Sequence, residues 1–175
     1  MAPRRDVLGA VDSLVPTEWT GTAFRHTAPG RSPLQGHGAY LNGGRWNPRE
    51  SFSTIYLAAP VEACVAEFAR LAGKQARGLV SFLPRDLFEI RASGLRLLDL
   101  QDEDNMTAVG LSLVDIESED WTRCQEVGAA AFFLGLQGIA APSATGLGVV
   151  IAVFESRVHV EQVSIVSRRP LSDLL

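Results

Sequence analysis

The sequence predicts an α+β fold. Two helix-spaced segments, around residues 60–73 and 119–137, stand apart, with short strand-like stretches before, between and after them. No regular strand–helix–strand alternation runs along the chain, which argues against a doubly wound parallel sheet. The run Val149–Glu155 is apolar at almost every position, as expected of a central strand covered on both faces. A length of 175 residues suits one compact domain over 1–175. Hydrophobic residues make up 46% and charged residues 21%, which excludes a mainly disordered chain.

Residues 1–20 read as a lead-in with a short helix near Val7–Leu14. Residues 21–50, rich in Gly, Pro, Asn and Arg, read as a long ordered loop, because Phe24, Tyr40 and Trp46 are interleaved with the glycines. Residues 54–58 form a short strand. Pro60 opens a helix whose apolar face carries Val61, Cys64, Val65, Phe68, Leu71 and Ala72, with Gly73 as its stop. Leu79–Leu83 is strand-like, Phe88–Arg91 and Leu95–Leu100 are two further strands, and Ser93-Gly94 is the turn between them. The stretch 101–120 is acidic, without Lys or Arg, and reads as a solvated surface that supplies negative charge to helix N-termini. A buried helix follows over about 119–137, with Ser118 as N-cap and Gly138 as stop. A turn at 142–148, the central strand and a last strand at 158–166 complete the chain.

Net charge is −4, which disfavours polyanion binding through a broadly basic face. No window approaches the length of a membrane span, and no sustained apolar stretch precedes Asp12 as a signal peptide would need, so a cytoplasmic protein is expected. Cys64 and Cys124 read as buried, reduced thiols. His26, His37 and His159 stand apart from any zinc-type spacing, and no metal is expected.

Four positions invite chemistry. Gly43-Gly44-Arg45-Trp46-Asn47-Pro48 can present Arg45 to a phosphate or carboxylate, or form a tight turn with a local ion pair. Tyr56 is a packing residue or a ring that stacks on a planar ligand. Glu67, at the flank of an apolar helical face, is salt-bridged or catalytic. Ser143 lies in a small-residue turn before the central strand and lacks the surroundings of a hydrolase nucleophile.

Together with AFRHT (23–27), IYLA (55–58), ACVAEF (63–68), the segment 120–138 and APSATGLG (141–148), these residues make the sequence resemble the RES domain family, toxins encoded beside Xre-type antitoxins. The spacing is part of the likeness: Tyr56 stands eleven residues after Arg45, and Glu67 eleven after Tyr56. The resemblance is nearest to the mycobacterial-type members. It implies an ADP-ribosyltransferase-like mixed or antiparallel sheet core with packed helices. It also implies NAD⁺ as substrate rather than cofactor, with inorganic phosphate as co-substrate. Glu67, Arg45 and Tyr56 match its catalytic positions; Arg25, His26, Arg45, Trp46, Asn47, Tyr56 and Ser143 are its expected NAD⁺ contacts. In that reading Glu67 stabilises a ribosyl cation or holds the ribose hydroxyls, Arg25 and Arg45 grip the pyrophosphate, Tyr56 stacks on the nicotinamide or ribose side and Ser143 bonds the nicotinamide ribose or amide. The resemblance further implies an Xre-type antitoxin that covers the cleft, with no direct contact to nucleic acid or membrane. Water or a protein side chain as acceptor would give a glycohydrolase or an ADP-ribosyltransferase. A silent nucleotide- or partner-binding module is the reading from another class.

Overall fold

The computed structural model describes residues 4–75 and 78–175; the first three residues of the expected lead-in lie outside them. The chain runs α1 (Arg5–Asp12), β1 (Thr17–Thr27), α2 (His37–Asn42), β2 (Thr54–Ala59), α3 (Val61–Lys74), β3 (Asp86–Asp99), α4 (Glu103–Ala108), α5 (Leu113–Glu117), α6 (Thr122–Phe133), β4 (Gly138–Pro142), β5 (Val149–Phe154) and β6 (Val163–Pro170). The mixed α+β class agrees with the expectation.

The six strands lie in the order β1-β2-β5-β4-β3-β6, and β1 also pairs with β3. The pairings therefore close a ring, β1-β2-β5-β4-β3 and back to β1, with β6 outside on β3. All are antiparallel except β3–β4, which is parallel. Alternation of side chains across the strands then sorts three cores. On β5, Ile151 and Val153 point into the ring interior with Ile55, Leu57, Ile90 and Leu97. Ala152 and Phe154 point the other way, toward Trp46, Cys124 and the α6 alanines. This explains the unbroken apolar run at 149–154. α3 forms the third core, where Cys64 and Phe68 meet Leu87 and Leu171.

Several boundaries differ from the sequence reading. Residues 21–27, expected as loop, complete an eleven-residue strand, and 37–42 form a short helix. The expected strand at 79–83 is a 3-10 turn over Leu79–Phe82. The two strands on either side of Ser93-Gly94 are one, β3, with Gly94 at φ +62° absorbing the irregularity in place of a reversal. α3 runs one residue past Gly73. β6 begins only at Val163, after 3-10 turns.

The largest difference lies at 119–142. Ser118 ends α5, α6 starts at Thr122 after Trp121, and it ends at Phe133. Gly138, expected as a helix stop, instead opens β4, a strand absent from the sequence reading. The segment Gly138-Ile139-Ala140-Ala141-Pro142 is poor in β-branched residues. It is a strand because it is buried between β3 and β5, and a side chain on Gly138 would strike the Ala152 carbonyl. The acidic stretch does supply caps: Asp102 accepts from the Asp104 and Asn105 amides, and Ser112 with Asp115 forms a capping box on α5. Among the described residues no helix is long and apolar enough to cross a membrane.

Candidate active site

The Gly43–Pro48 segment folds as a tight turn in which the Gly44 and Asn47 backbones bond each other, at 2.9 and 3.3 Å. Two glycines are needed for different reasons. Gly43 sits at φ +74°, and a side chain on Gly44 would collide with the Tyr56 hydroxyl. That hydroxyl donates to Asn47 Oδ1 at 2.8 Å and accepts from the Trp46 amide at 2.9 Å. Burial pushes its pKa well above the ordinary phenol value. From α6, the Gln125 amide donates to the Gly44 and Asn47 carbonyls. Gly128 leaves room for the Trp46 carbonyl.

Around this turn opens a cleft of about 430 Å³, a size usual for small-molecule sites. Its lining includes Arg25 and His26 from β1, Arg45 and Trp46 from the turn, Tyr56 from β2, and Cys64, Glu67 and Arg70 from α3, with Trp121 opposite. Six of the eight residues singled out in the sequence thus share one cleft. Asn47 and Ser143 do not line it. Asn47 is fully buried and its side-chain amide donates to the Ala39 carbonyl, so it shapes the turn. Ser143 is 2% exposed, and its hydroxyl donates to Glu67 Oε1 at 2.6 Å. Ser143 thus reaches the cleft carboxylate from inside the protein.

The cleft cations are held in different ways. Arg25 Nη1 donates to the Pro33 and Gln35 carbonyls at 2.6 and 2.9 Å. Arg45 Nη1 donates to the Ser118 and Asp115 carbonyls at 2.9 and 3.3 Å, and its guanidinium lies 5.7 Å from the Trp121 ring centroid. Each is oriented by neutral carbonyls through one nitrogen and makes no ion pair among the described residues. Burial lowers the Arg25 pKa from its ordinary value, yet a guanidinium stays charged in proteins. Arg70, by contrast, pairs with Glu119 at 2.9 Å.

His26 is packed edge-on to Phe68 at 5.0 Å and accepts from Arg85 Nε at 2.7 Å through Nδ1. Its remaining proton is therefore on Nε2. Burial, with Arg85 and Arg25 nearby, lowers its pKa to about 3, so the ring is neutral near pH 7. Cys64 and Cys124 are free and buried, as expected, with thiols pushed up to about 12 and about 11 by burial. Protonated thiols of this kind are poor nucleophiles.

Sequence reading missed Gln125, Gly128, Trp121 and Arg85. Only Gly128 carried a signal: a glycine inside an otherwise strong helix marks a close approach.

The fold and cleft define the class. A family model described as RES domain matches residues 19–172, and the chain belongs to that family. It is 38% identical over 157 residues to proteins named NAD(+) phosphorylase MbcT from Mycobacterium bovis and Mycobacterium tuberculosis, covering 89% of this chain and 84% of theirs. A chain in the crystal structure of the M. tuberculosis MbcT–MbcA toxin–antitoxin complex superposes with a TM-score of 0.89 at 35% identity, over 96% of this chain and 93% of that one.

Proposed function

We propose that this chain is the NAD⁺-degrading toxin of a toxin–antitoxin pair, acting by phosphorolysis. The observation that carries the reading is that two arginines without an ion pair among the described residues, Arg25 and Arg45, share a single cleft with one carboxylate, Glu67. A pyrophosphate fits the arginines, since each leaves donors free beyond the nitrogen bound to carbonyls. The likeness to NAD(+) phosphorylases named above supports the substrate.

In this reading the bond between the nicotinamide nitrogen and the ribose C1″ breaks, and its electron pair leaves with nicotinamide. Positive charge develops on the ribose, and Glu67 stabilises it. A phosphate oxygen then bonds C1″, giving ADP-ribose 1″-phosphate, nicotinamide and a proton. The Tyr56 ring stacks on the nicotinamide side while its hydroxyl stays on the turn. His26 offers an Nε2–H donor. Trp46 anchors Arg45, and Asn47 acts through Tyr56. Ser143 orients Glu67. The architecture is ADP-ribosyltransferase-like, the chain one domain over 1–175, and the compartment the cytoplasm. The partner is an Xre-type antitoxin that covers the cleft. The structural neighbour named above is part of a toxin–antitoxin complex, which supports an antitoxin partner for this chain.

Proton NMR of the purified chain with NAD⁺, with and without inorganic phosphate, tests the reading. Nicotinamide release that requires phosphate is expected. Release without phosphate gives a glycohydrolase. Intact NAD⁺ in both samples overturns degradation by this chain alone and favours a transferase that needs a protein acceptor, or a silent binding module.

A further inference from the structure

A run of hydrogen bonds at the β4–β5 turn ends on the cleft carboxylate. The Ser143 hydroxyl donates to Glu67 Oε1 at 2.6 Å. Thr145 Oγ1 lies 2.7 Å from Ser143 Oγ, and the Thr145 amide donates to the same oxygen at 3.1 Å. The Leu147 amide donates to Thr145 Oγ1 at 3.3 Å.

Proton counting fixes the direction. A hydroxyl has one proton and two lone pairs, and a carboxylate oxygen only accepts. The Ser143 proton is committed to Glu67, so the proton between Ser143 and Thr145 comes from Thr145. Both Ser143 lone pairs are then filled, by the Thr145 hydroxyl and amide. The order is Leu147 amide to Thr145, Thr145 to Ser143, Ser143 to Glu67. Such aligned donors polarise one another. The turn itself is rigidly closed: the Ser143 amide bonds the Gly148 carbonyl at 3.0 Å and the Gly146 amide bonds the Ser143 carbonyl at 3.0 Å. Pro142 and Ala144 line the cleft, whereas Ser143 and Thr145 do not.

We propose that Thr145 is a positioning residue: its hydroxyl locks Ser143 as a donor and so fixes the Glu67 carboxylate at the cleft wall. The inference rests on the reading of Glu67 as the group that stabilises the ribosyl cation. A fixed carboxylate matters when charge develops, more than when substrate binds, so the effect belongs to kcat.

Thr145→Val keeps the shape and removes the hydroxyl; Thr145→Ser restores it, and Thr145→Ala serves if Val does not fold. Nicotinamide release against NAD⁺ concentration is measured with phosphate present. Loss of one hydrogen bond predicts kcat lowered about 3- to 10-fold with KM within about twofold of the parent, and recovery in Thr145→Ser. An unchanged kcat, or a loss confined to KM, overturns the proposal. A crystal structure of Thr145→Val reads the same question without turnover. Glu67 is expected to leave the Ser143 hydroxyl, and an unaltered Ser143–Glu67 pair overturns the positioning role. If the parent protein leaves NAD⁺ intact, it is the NAD⁺ reading that fails, and the crystallographic comparison alone decides the role of Thr145.

Discussion

The Ser143 hydroxyl meets Glu67 Oε1 at 2.6 Å although 76 positions separate the two residues. Glu67 sits on α3 and Ser143 follows β4, so the contact joins a helix to the sheet at the cleft wall. Glu67→Gln tests what the negative charge does there. The amide oxygen can still accept from Ser143, so the thermal midpoint should stay near that of the parent. Nicotinamide release should fall by roughly 10²- to 10³-fold, the scale of removing one preorganised electrostatic group. Retained turnover would remove Glu67 from the chemistry.

Arg45 links the glycine turn to the carbonyls of Asp115 and Ser118. If it also binds the pyrophosphate, Arg45→Ala should raise the KM for NAD⁺ roughly 10- to 100-fold, the value of a lost charge-assisted contact. Steady-state kinetics checks this. A variant that loses only stability, with KM unchanged, would assign Arg45 to the turn alone.

Tyr56→Phe should be costly for a residue whose ring is kept. It leaves Asn47 Oδ1 without its donor and the Trp46 amide without its acceptor, both inside the protein. Denaturant unfolding should show a loss of about 1–3 kcal/mol, the penalty for unsatisfied buried groups. Parent-like stability would mean that the turn does not depend on the hydroxyl.

His26 gives a pH signature. Its folded pKa of about 3 lies below the ordinary 6.5, so the unfolded chain binds the extra proton between those values. The stability this histidine contributes is complete above pH 6.5. It declines as pH falls toward 3, by up to about 1.4 kcal/mol per pH unit. Unfolding free energies of the parent and His26→Gln should therefore converge as pH is lowered from 7 to 4. A constant difference over that range would contradict a neutral, buried His26.

The sequence carried much of this protein in its local patterns. The apolar stripe of α3 is visible at helical spacing, and the unbroken apolar run of β5 signals burial on both faces. The glycines before Arg45 and the apolar face beside Glu67 mark those two residues, whereas Tyr56 reads equally as a packing residue; the eleven-residue spacing shared with the RES family is what joins the three. Tertiary structure decided the rest. β4 is a strand only because β3 and β5 enclose its alanines. Gly94 bends β3 without ending it because β1 pairs with β3 on both sides of it. Ser143 turns inward to Glu67, and Gln125 and Gly128 grip the glycine turn across more than seventy residues of chain. Local periodicity reports which side of an element avoids water. Which partner covers that side is settled by long-range packing and by the need to satisfy every buried polar group, and neither is written within a short window of sequence.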